Sequence, residues 1–317
     1  MLGGWVAATK LDARSQGPVF TDITAASGLA RAVNVSGSPD NKRFLLEEMG
    51  CGVALFDYDN DGWLDIFLVN GSSFDPNVRD SKPSGYLFHN NHDGTFTDAT
   101  AETGLNRVAL VMGANYGDID NDGWPDCYLG TGNPRLEMLL PNRMFRNDGG
   151  RRFQDVTTSG GFGHLQKGHA VAFGDIDNDG DQDVFEEMGG AYAGDVSQNA
   201  LYENPGHGSR WITLDLVGRQ SNRYGVGSRI RVSVDTPSGP RDIHAITGNG
   251  GSFGSNSLRQ EIGLGDATAI RSVEILWAGS GRKQTLTGLT MDQPWRVIEG
   301  EGTPEPIRRA TFDLSPG

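Results

Sequence analysis

An internal repeat limits what this chain can fold into more than any local preference does. Three stretches, beginning at Gly50, Val111 and Gly168, align without gaps, and their leading aspartates Asp57, Asp118 and Asp175 stand 61 and 57 residues apart. A Phe-x-Asp-x-Thr motif precedes each one, at Phe20, Phe96 and Phe153, with a glycine eight residues after the phenylalanine. A third element, starting at Leu87, Met144 and Leu201, brings an apolar pair, an asparagine and a glycine turn. Asp98 and Asp155 each lie 20 residues before the next leading aspartate, but Asp22 lies 35 before Asp57, so the first copy holds about 15 extra residues within 31–44. Asp93-Gly94 and Asp148-Gly149-Gly150 are hairpin turn sequences, because both need positive φ. No period of 3.6 accompanies them. Short strands recurring every ~60 residues predict an all-β fold, a β-propeller or related array in which each unit buries its faces on its neighbours.

Each copy contains Asp-x-Asp-x-Asp-Gly-x-x-Asp. The first loop carries Asp57, Asp59, Asp61 and Asp65, the second Asp118, Asp120, Asp122 and Asp126, and the third Asp175, Asp177, Asp179 and Asp183. Alternating carboxylates at positions 1, 3 and 5 point at one centre, and the glycine at 6 permits the sharp turn. The backbone carbonyl at 7 (Trp63, Trp124 or Asp181) and the aspartate at 9 complete an oxygen cage. Hard oxygen ligands on a flexible loop suit Ca²⁺ rather than zinc or copper, so three Ca²⁺ sites are predicted. Position 12 is Leu68, Leu129 or Glu186, and no helices flank the loops, which excludes an EF-hand pair.

Repulsion makes the same point. The loops concentrate 12 of the chain's 41 acidic residues, and four converging carboxylates do not all stay ionised without a cation. Three bound Ca²⁺, two charges each, bring the formal charge from −14 to −8. Modules of this kind bind at ~10⁻⁴–10⁻³ M, which matches extracellular calcium.

A net charge of −14 repels phosphate backbones and argues against nucleic acid as a partner. No apolar run approaches the ~18 residues of a membrane span. Met1 to Lys10 has no basic start followed by an apolar stretch, so no signal peptide is visible. Forty-six glycines without a Gly-X-Y period exclude collagen.

The stretches from Cys51, Met112 and His169 into their Asp loops resemble FG-GAP repeats of the integrin α-chain propeller type. From Asn204 onward the chain resembles the ASPIC/UnbV domain. That likeness rests on Asn204-Pro-Gly, Trp211 with alternating Ile212, Leu214 and Leu216, Ser221-Asn-Arg, Gly227, Ser255-Asn-Ser, Gly263-Leu-Gly and Val273-Glu-Ile-Leu-Trp. The combination is similar to the cartilage acidic protein-like family and covers about residues 18–300. After Trp277 the family's Pro-Ser-Gly is replaced by Ala278-Gly-Ser-Gly, which departs from the pattern at that turn only. The resemblance implies an N-terminal segment (1–17), three calcium-binding repeats over 18–204 (about 18–86, 87–143 and 144–204), and a β-rich domain over 205–300. The last of these either completes the propeller or covers an open array, and 301–317 reads as a tail. Secretion or surface exposure is also implied.

The C-terminal part reads independently as strands at 211–217, 230–234, 242–247, 260–264, 272–277 and 295–299. Gly250-Gly-Ser252-Phe-Gly254 matches a nucleophile elbow, but no helix follows and no histidine occurs after His244, so a glycine loop is expected. His89 with His92, and His164 with His169, lack zinc spacing and read as surface or core histidines. The neighbours Glu47-Glu48 and Glu186-Glu187 point to opposite faces of a strand, which argues against a catalytic dyad. Trp63 and Trp124 are expected to pack between blades in preference to presenting an aromatic contact. Cys127 aligns with Ile66 and Val184 as a buried apolar substitute, and nothing in the spacing pairs it with Cys51. Asn34-Val-Ser36 and Asn70-Gly-Ser72 fit glycosylation acceptors.

Three functions compete on this reading. The first is a non-enzymatic, calcium-stabilised extracellular binding or adhesion module that takes a protein or glycan ligand at a propeller face. The second is an enzyme of cyclase or lyase type, of natural-product or polysaccharide metabolism. The third is a self-assembling surface or filament protein, favoured by unpaired strand edges.

Overall fold

The computed structural model describes residues 19–35, 37–38, 40, 47, 52–71, 73, 85–106, 111–132, 140–190 and 192–314. Among them helix is limited to 3₁₀ turns, at Leu29–Arg31 and Glu47, and the rest is all-β in five sheets with a propeller-type arrangement. The first repeat sheet orders β1 (Gly52–Phe56), β2 (Asp65–Val69), β3 (Gly85–Asn90) and β4 (Phe96–Asp98). The second orders β5 (Gly113–Gly117), β6 (Asp126–Gly130), β7 (Arg143–Asn147) and β8 (Phe153–Asp155). The third holds β9 (Gly168–Gly174), β10 (Asp183–Met188) and β11 (Ala200–Tyr202). Every pairing within these three is antiparallel. The Phe-x-Asp segment is therefore the outer strand of the preceding sheet, so the sheets straddle the repeat divisions at 86/87 and 143/144.

Period-2 side-chain alternation decides how the blades stack. On β6, Cys127 and Leu129 join a core shared with Phe56, Phe67 and Leu87 of the first blade. Tyr128, on the other face, joins Val171, Phe173 and Val184 of the third. The middle blade thus has one neighbour on each face, and every residue of β6 is buried. Cys127 is a free buried thiol that fills apolar space, as its alignment predicts; Cys51 lies outside the described residues. So do six of the 14 residues in 31–44, where the extra residues are expected.

The C-terminal domain contributes two sheets. One orders β15 (Gln260–Gly265), β12 (Arg210–Val217), β18 (Pro294–Ile298) and β19 (Glu305–Pro306), with β12 and β18 parallel. The other orders β14 (Gly239–Ile246), β13 (Arg229–Thr236), β16 (Ala269–Leu276) and β17 (Lys283–Leu286). They share one core around Trp277, Leu214, Val232 and Val297. The predicted strands appear within a few residues. The predicted tail is docked: Glu305–Pro306 pairs with β18, Arg309 Nη2 reaches Asp215 Oδ2 at 2.7 Å, and Phe312 N–H donates to Asp177 O at 3.2 Å.

The glycine loop after β14 ties this domain to the blades. Ser252 N–H donates to Ala114 O at 2.7 Å, and Asn256 accepts from Phe173 N–H at 2.9 Å while donating to Tyr116 O at 2.8 Å. Close backbone approach is why glycine is needed: a Cβ on Gly254 would collide with the Val171 backbone. Ser252 is thus part of a glycine loop, as expected, and no helix follows it.

Candidate metal centres

Each Asp loop joins the first two strands of its blade, and the same backbone logic shapes all three. The glycine at position 6 has positive φ (Gly62 89°, Gly123 84°, Gly180 99°), and so does the asparagine at position 4 (Asn60 55°, Asn121 53°, Asn178 62°). Asparagine tolerates the left-handed region because its short amide bonds locally. In the first two loops the position-1 carboxylate folds the turn around itself. Asp57 accepts from Asp61 N–H (3.0 Å) and Gly62 N–H (2.7 Å), and Asp118 from Asp122 N–H (3.0 Å) and Gly123 N–H (2.8 Å).

Positions 1, 3 and 5 converge as the spacing predicts. Ligand oxygens of Asp57, Asp59 and Asp61 lie within 4.8 Å of one another, and so do those of Asp118, Asp120 and Asp122, and of Asp175, Asp177 and Asp179. The position-9 carboxylates have a further duty. Asp65 accepts from Tyr58 and Asn90 N–H, Asp126 from Ile119 and Asn147 N–H, and Asp183 from Ile176 and Asn204 N–H, all at 2.7–3.1 Å. The first two pin their loops to the third strand of their own sheet, and Asp183 pins its loop to the residue two beyond the end of β11. Asp65 also lies within 4.8 Å of Asp59 and His89. At position 7, the N–H groups of Trp63, Trp124 and Asp181 donate to the position-5 carboxylate at 2.8–2.9 Å.

Two observations fit a cation between these groups. One oxygen in each loop, Asp59 Oδ1, Asp120 Oδ1 and Asp175 Oδ1, is buried without a hydrogen-bond partner. An unpaired buried carboxylate oxygen is costly unless something positive meets it. Burial, followed by the charges of neighbouring aspartates, also pushes the acids out of their ordinary range: Asp57 up to about 7, Asp65 to about 8 and Asp122 to about 6. Asp118 and Asp126 lie far above that range for the same reasons, burial first. The donor set is all oxygen and acidic, which suits a hard divalent ion.

Several residues at these centres were not singled out from sequence. His89 Nδ1 lies 3.0 Å from Asp59 Oδ2, and His92 Nε2 donates to Asp61 Oδ2 at 2.6 Å, so these histidines face the first loop instead of being generic surface groups. Arg146, aligned with His89, lies 2.8 Å from Asp120. Asn147 and Asn204 donate to Tyr58 O and Ile119 O in the loop of the preceding blade, both at 2.8 Å. Their recurrence in the third element was the available signal. Trp124 packs as expected: a Cβ on Gly150 would meet its ring and come 2.9 Å from Asp59 Cα. Trp63 is partly exposed, stacked on His92 at 4.9 Å with the Arg229 guanidinium over its ring.

The loops do not end in solvent. Asn60 donates to Asp242 O and accepts from His244 N–H on β14, Arg241 donates to Asp122 O, and the ring of Trp211 covers Gly180. All three centres therefore lie against the C-terminal domain. Elsewhere, Glu186 is buried and bonded by Tyr128 while Glu187 is exposed, the opposite-face arrangement that argues against a dyad. Glu47 bonds to Ser73, and Glu48 lies outside the described residues. Asn70 is buried and donates to Val33 O at 3.3 Å, so the folded chain does not present it for glycosylation.

Repeat blades, acidic loops and a C-terminal β-domain define the class. The FG-GAP-like repeat family matches residues 52–129 and 130–186, and the ASPIC and UnbV family matches 218–304, so the chain carries FG-GAP-like repeats followed by an ASPIC/UnbV domain. It is similar to cartilage acidic protein 1 of Xenopus tropicalis, at 31% identity over 119 residues, 37% of this chain. The match spans 18% of that relative's length. Among the described residues no helix is long and apolar enough to cross a membrane.

Proposed function

We propose that this protein is a calcium-stabilised binding or adhesion module that works in an extracellular setting. Ca²⁺ is held by positions 1, 3, 5 and 9 of each loop together with the carbonyls of Trp63, Trp124 and Asp181. The observation that carries this reading is the recurrence, three times in register, of converging carboxylates, each loop leaving one buried oxygen unpaired, at position 3 in the first two and position 1 in the third. Its role is structural. The loops press on β14, β15 and β12, so an ion there fixes the seam between the blades and the C-terminal domain. A protein or glycan ligand then uses the opposite end of the blades, where loop variation costs little stability.

The enzyme alternative looks to the same seam. A cavity of about 130 Å³ there is lined by Asp57, Asp118, His244, Arg259 and Glu261. That is smaller than the ~300–1,000 Å³ of pockets that take small-molecule ligands, whereas two other clefts, of about 490 Å³ beside Asp175 and Asp179 and about 360 Å³ beside Asp61 and Trp63, fall within that range. The polar lining of the seam cavity is already committed: Glu261 accepts from Asp175 N–H and Gln182, and Arg259 donates to Asp175 O. These contacts favour a structural seam.

Titration calorimetry of chelator-treated protein is expected to show three calcium equivalents bound. The triple variant Asp59→Asn, Asp120→Asn, Asp177→Asn is expected to bind none. A wild-type protein that takes up no calcium at millimolar concentration overturns the proposal.

A further inference from the structure

The Phe-x-Asp-x-Thr strand occurs three times, but only two of its copies are paired. In the first blade β3 and β4 align Phe88 with Asp98 and Asn90 with Phe96. In the second, β7 and β8 align Phe145 with Asp155 and Asn147 with Phe153. The third blade ends at β11, and the equivalent residues, Tyr202 at its end and Asn204 just beyond it, face no strand among the described residues. The spare copy, Phe20-Thr-Asp22-Ile-Thr24, is in no sheet, and Phe20 is 94% exposed. Its turn is nonetheless formed. Thr24 N–H donates to Asp22 Oδ1 at 2.9 Å and Ser27 N–H to Ile23 O at 2.9 Å, as Thr100 does to Asp98 and Thr103 to Ala99.

The open blade faces match the same register. Leu201 is 46% exposed, whereas its equivalents Leu87 and Met144 are fully buried. Phe185 is 39% exposed, against buried Phe67 and Tyr128. On the other side of the array, Val53 is 48% and Leu55 49% exposed, whereas Val171 and Phe173 of the third blade are buried on the blade before them. Among the described residues, one end of the array thus has no following blade and the other no preceding one. The spare strand cannot close this gap within one chain. Phe96 N–H donates to Ser27 O as Phe153 N–H does to Thr103 O, which sets the spare copy beside the first blade, where a preceding blade's outer strand would run. The first and third blades pack on opposite faces of the second.

We propose that a second copy of this chain docks head to tail: its Phe20–Asp22 segment adds to the edge of β11, Asp22 opposite Tyr202 and Phe20 opposite Asn204. Its Val53 and Leu55 then cover Phe185 and Leu201. The contact repeats the blade-to-blade interface already present twice in the fold, and the preformed turn lowers the ordering cost of strand addition. It is heterologous, so successive copies form a ring or a filament according to whether the rotation closes. Glu187 is exposed on the same tail face, so the contact has to leave its charge in water. This arrangement stands apart from the role of calcium.

Sedimentation of the full chain in excess calcium tests it. Wild type is expected to exceed the 34.1 kDa monomer mass as concentration rises. Phe20→Asp, which spoils the donor strand, and Leu201→Asp, which spoils the acceptor, are each expected to stay monomeric. Mixed in equal amounts they are expected to form a dimer and stop there, because one intact donor meets one intact acceptor. Both sites are already solvent-exposed, and circular dichroism checks folding; Val53→Asp is the second head-side variant should Phe20→Asp misfold. Wild type that stays monomeric at every concentration, its faces covered by its own chain, overturns the proposal. So does a mixture that fails to pair.

Discussion

The repeat blades and the C-terminal domain are both β, yet they hold themselves together differently. The C-terminal domain packs two sheets around one continuous core of 17 buried residues. The blades divide their apolar burial between two seams, of 14 and 6 residues among those described. Carboxylates diverge in the same way. Glu299 accepts N–H bonds from Arg219 (2.7 Å), Gln220 (2.7 Å) and Ser221 (2.8 Å) and hydroxyl bonds from Ser221 and Ser280. Burial pushes that acid up, but these donors outweigh it and hold it at about 2. In the blades, carboxylates face one another. One region answers buried charge wholly with its own dipoles; the other leaves a buried carboxylate oxygen unpaired in each loop, where the proposed ion would meet it.

The largest expected effect would break this contrast if absent. Ion binding to the native state alone adds about 2.7 kcal/mol per site at a hundredfold excess over Kd, roughly 8 kcal/mol for three. Excess chelator is therefore expected to split calorimetric melting in two, lowering the blade transition and leaving that of the C-terminal domain. A single transition that is unmoved refutes the difference. The converse variant is Leu214→Ala, in the middle of the continuous core. It is expected to remove about 2–5 kcal/mol from the C-terminal transition with or without calcium.

The contrast was only partly legible in the sequence. The Asp loops were, because four ligands within nine residues are a local pattern repeated three times. So was the strand content of 211–299, where apolar alternation is clear. Lys283–Leu286 and Glu305–Pro306 were not, since two or three residues of alternation, or a proline, carry no strand signal by themselves. The pairing of Phe96 with Asn90 and not with the strand after it is a matter of register, which local periodicity leaves open. His89 is 30 residues from Asp59, and only the β2–β3 pairing brings them together. The position-4 asparagines were visible as repeats, but their reach to β14, to the next loop and to Ala310 depends on where the C-terminal domain sits.

Acid sharpens the comparison next. A folded value of about 2 for Glu299, against an ordinary glutamate near 4.5, stabilises the folded state above pH 4.5, and that stability is lost as pH falls toward 2. Glu299→Gln keeps the shape but cannot accept all these bonds, and is expected to cost about 2 kcal/mol at neutral pH. Chemical denaturation between pH 2.5 and 6 is expected to show a steep decline in wild type and a flatter one in the variant.

Glu186 is the opposite case and the smallest effect. It sits in the seam between the second and third blades, where Tyr128 donates to Oε2 at 2.8 Å while Oε1 is buried without a partner. Burial pushes it up to about 8, so at neutral pH it is largely a neutral acid. A raised folded value works in the reverse sense from that of Glu299: its contribution is complete below pH 4.5 and is lost as pH rises through 8. Glu186→Gln, nearly isosteric with the protonated acid, is expected to leave the denaturation midpoint almost unchanged at pH 4.5, and to gain on wild type as pH rises from there to 8. At pH 9 the variant is expected to be the more stable protein, because it does not ionise in a low-dielectric seam. Equal stabilities at both pH values would mean that Glu186 is already met by a positive group, and the blades would then share the self-sufficiency of the C-terminal domain at this seam.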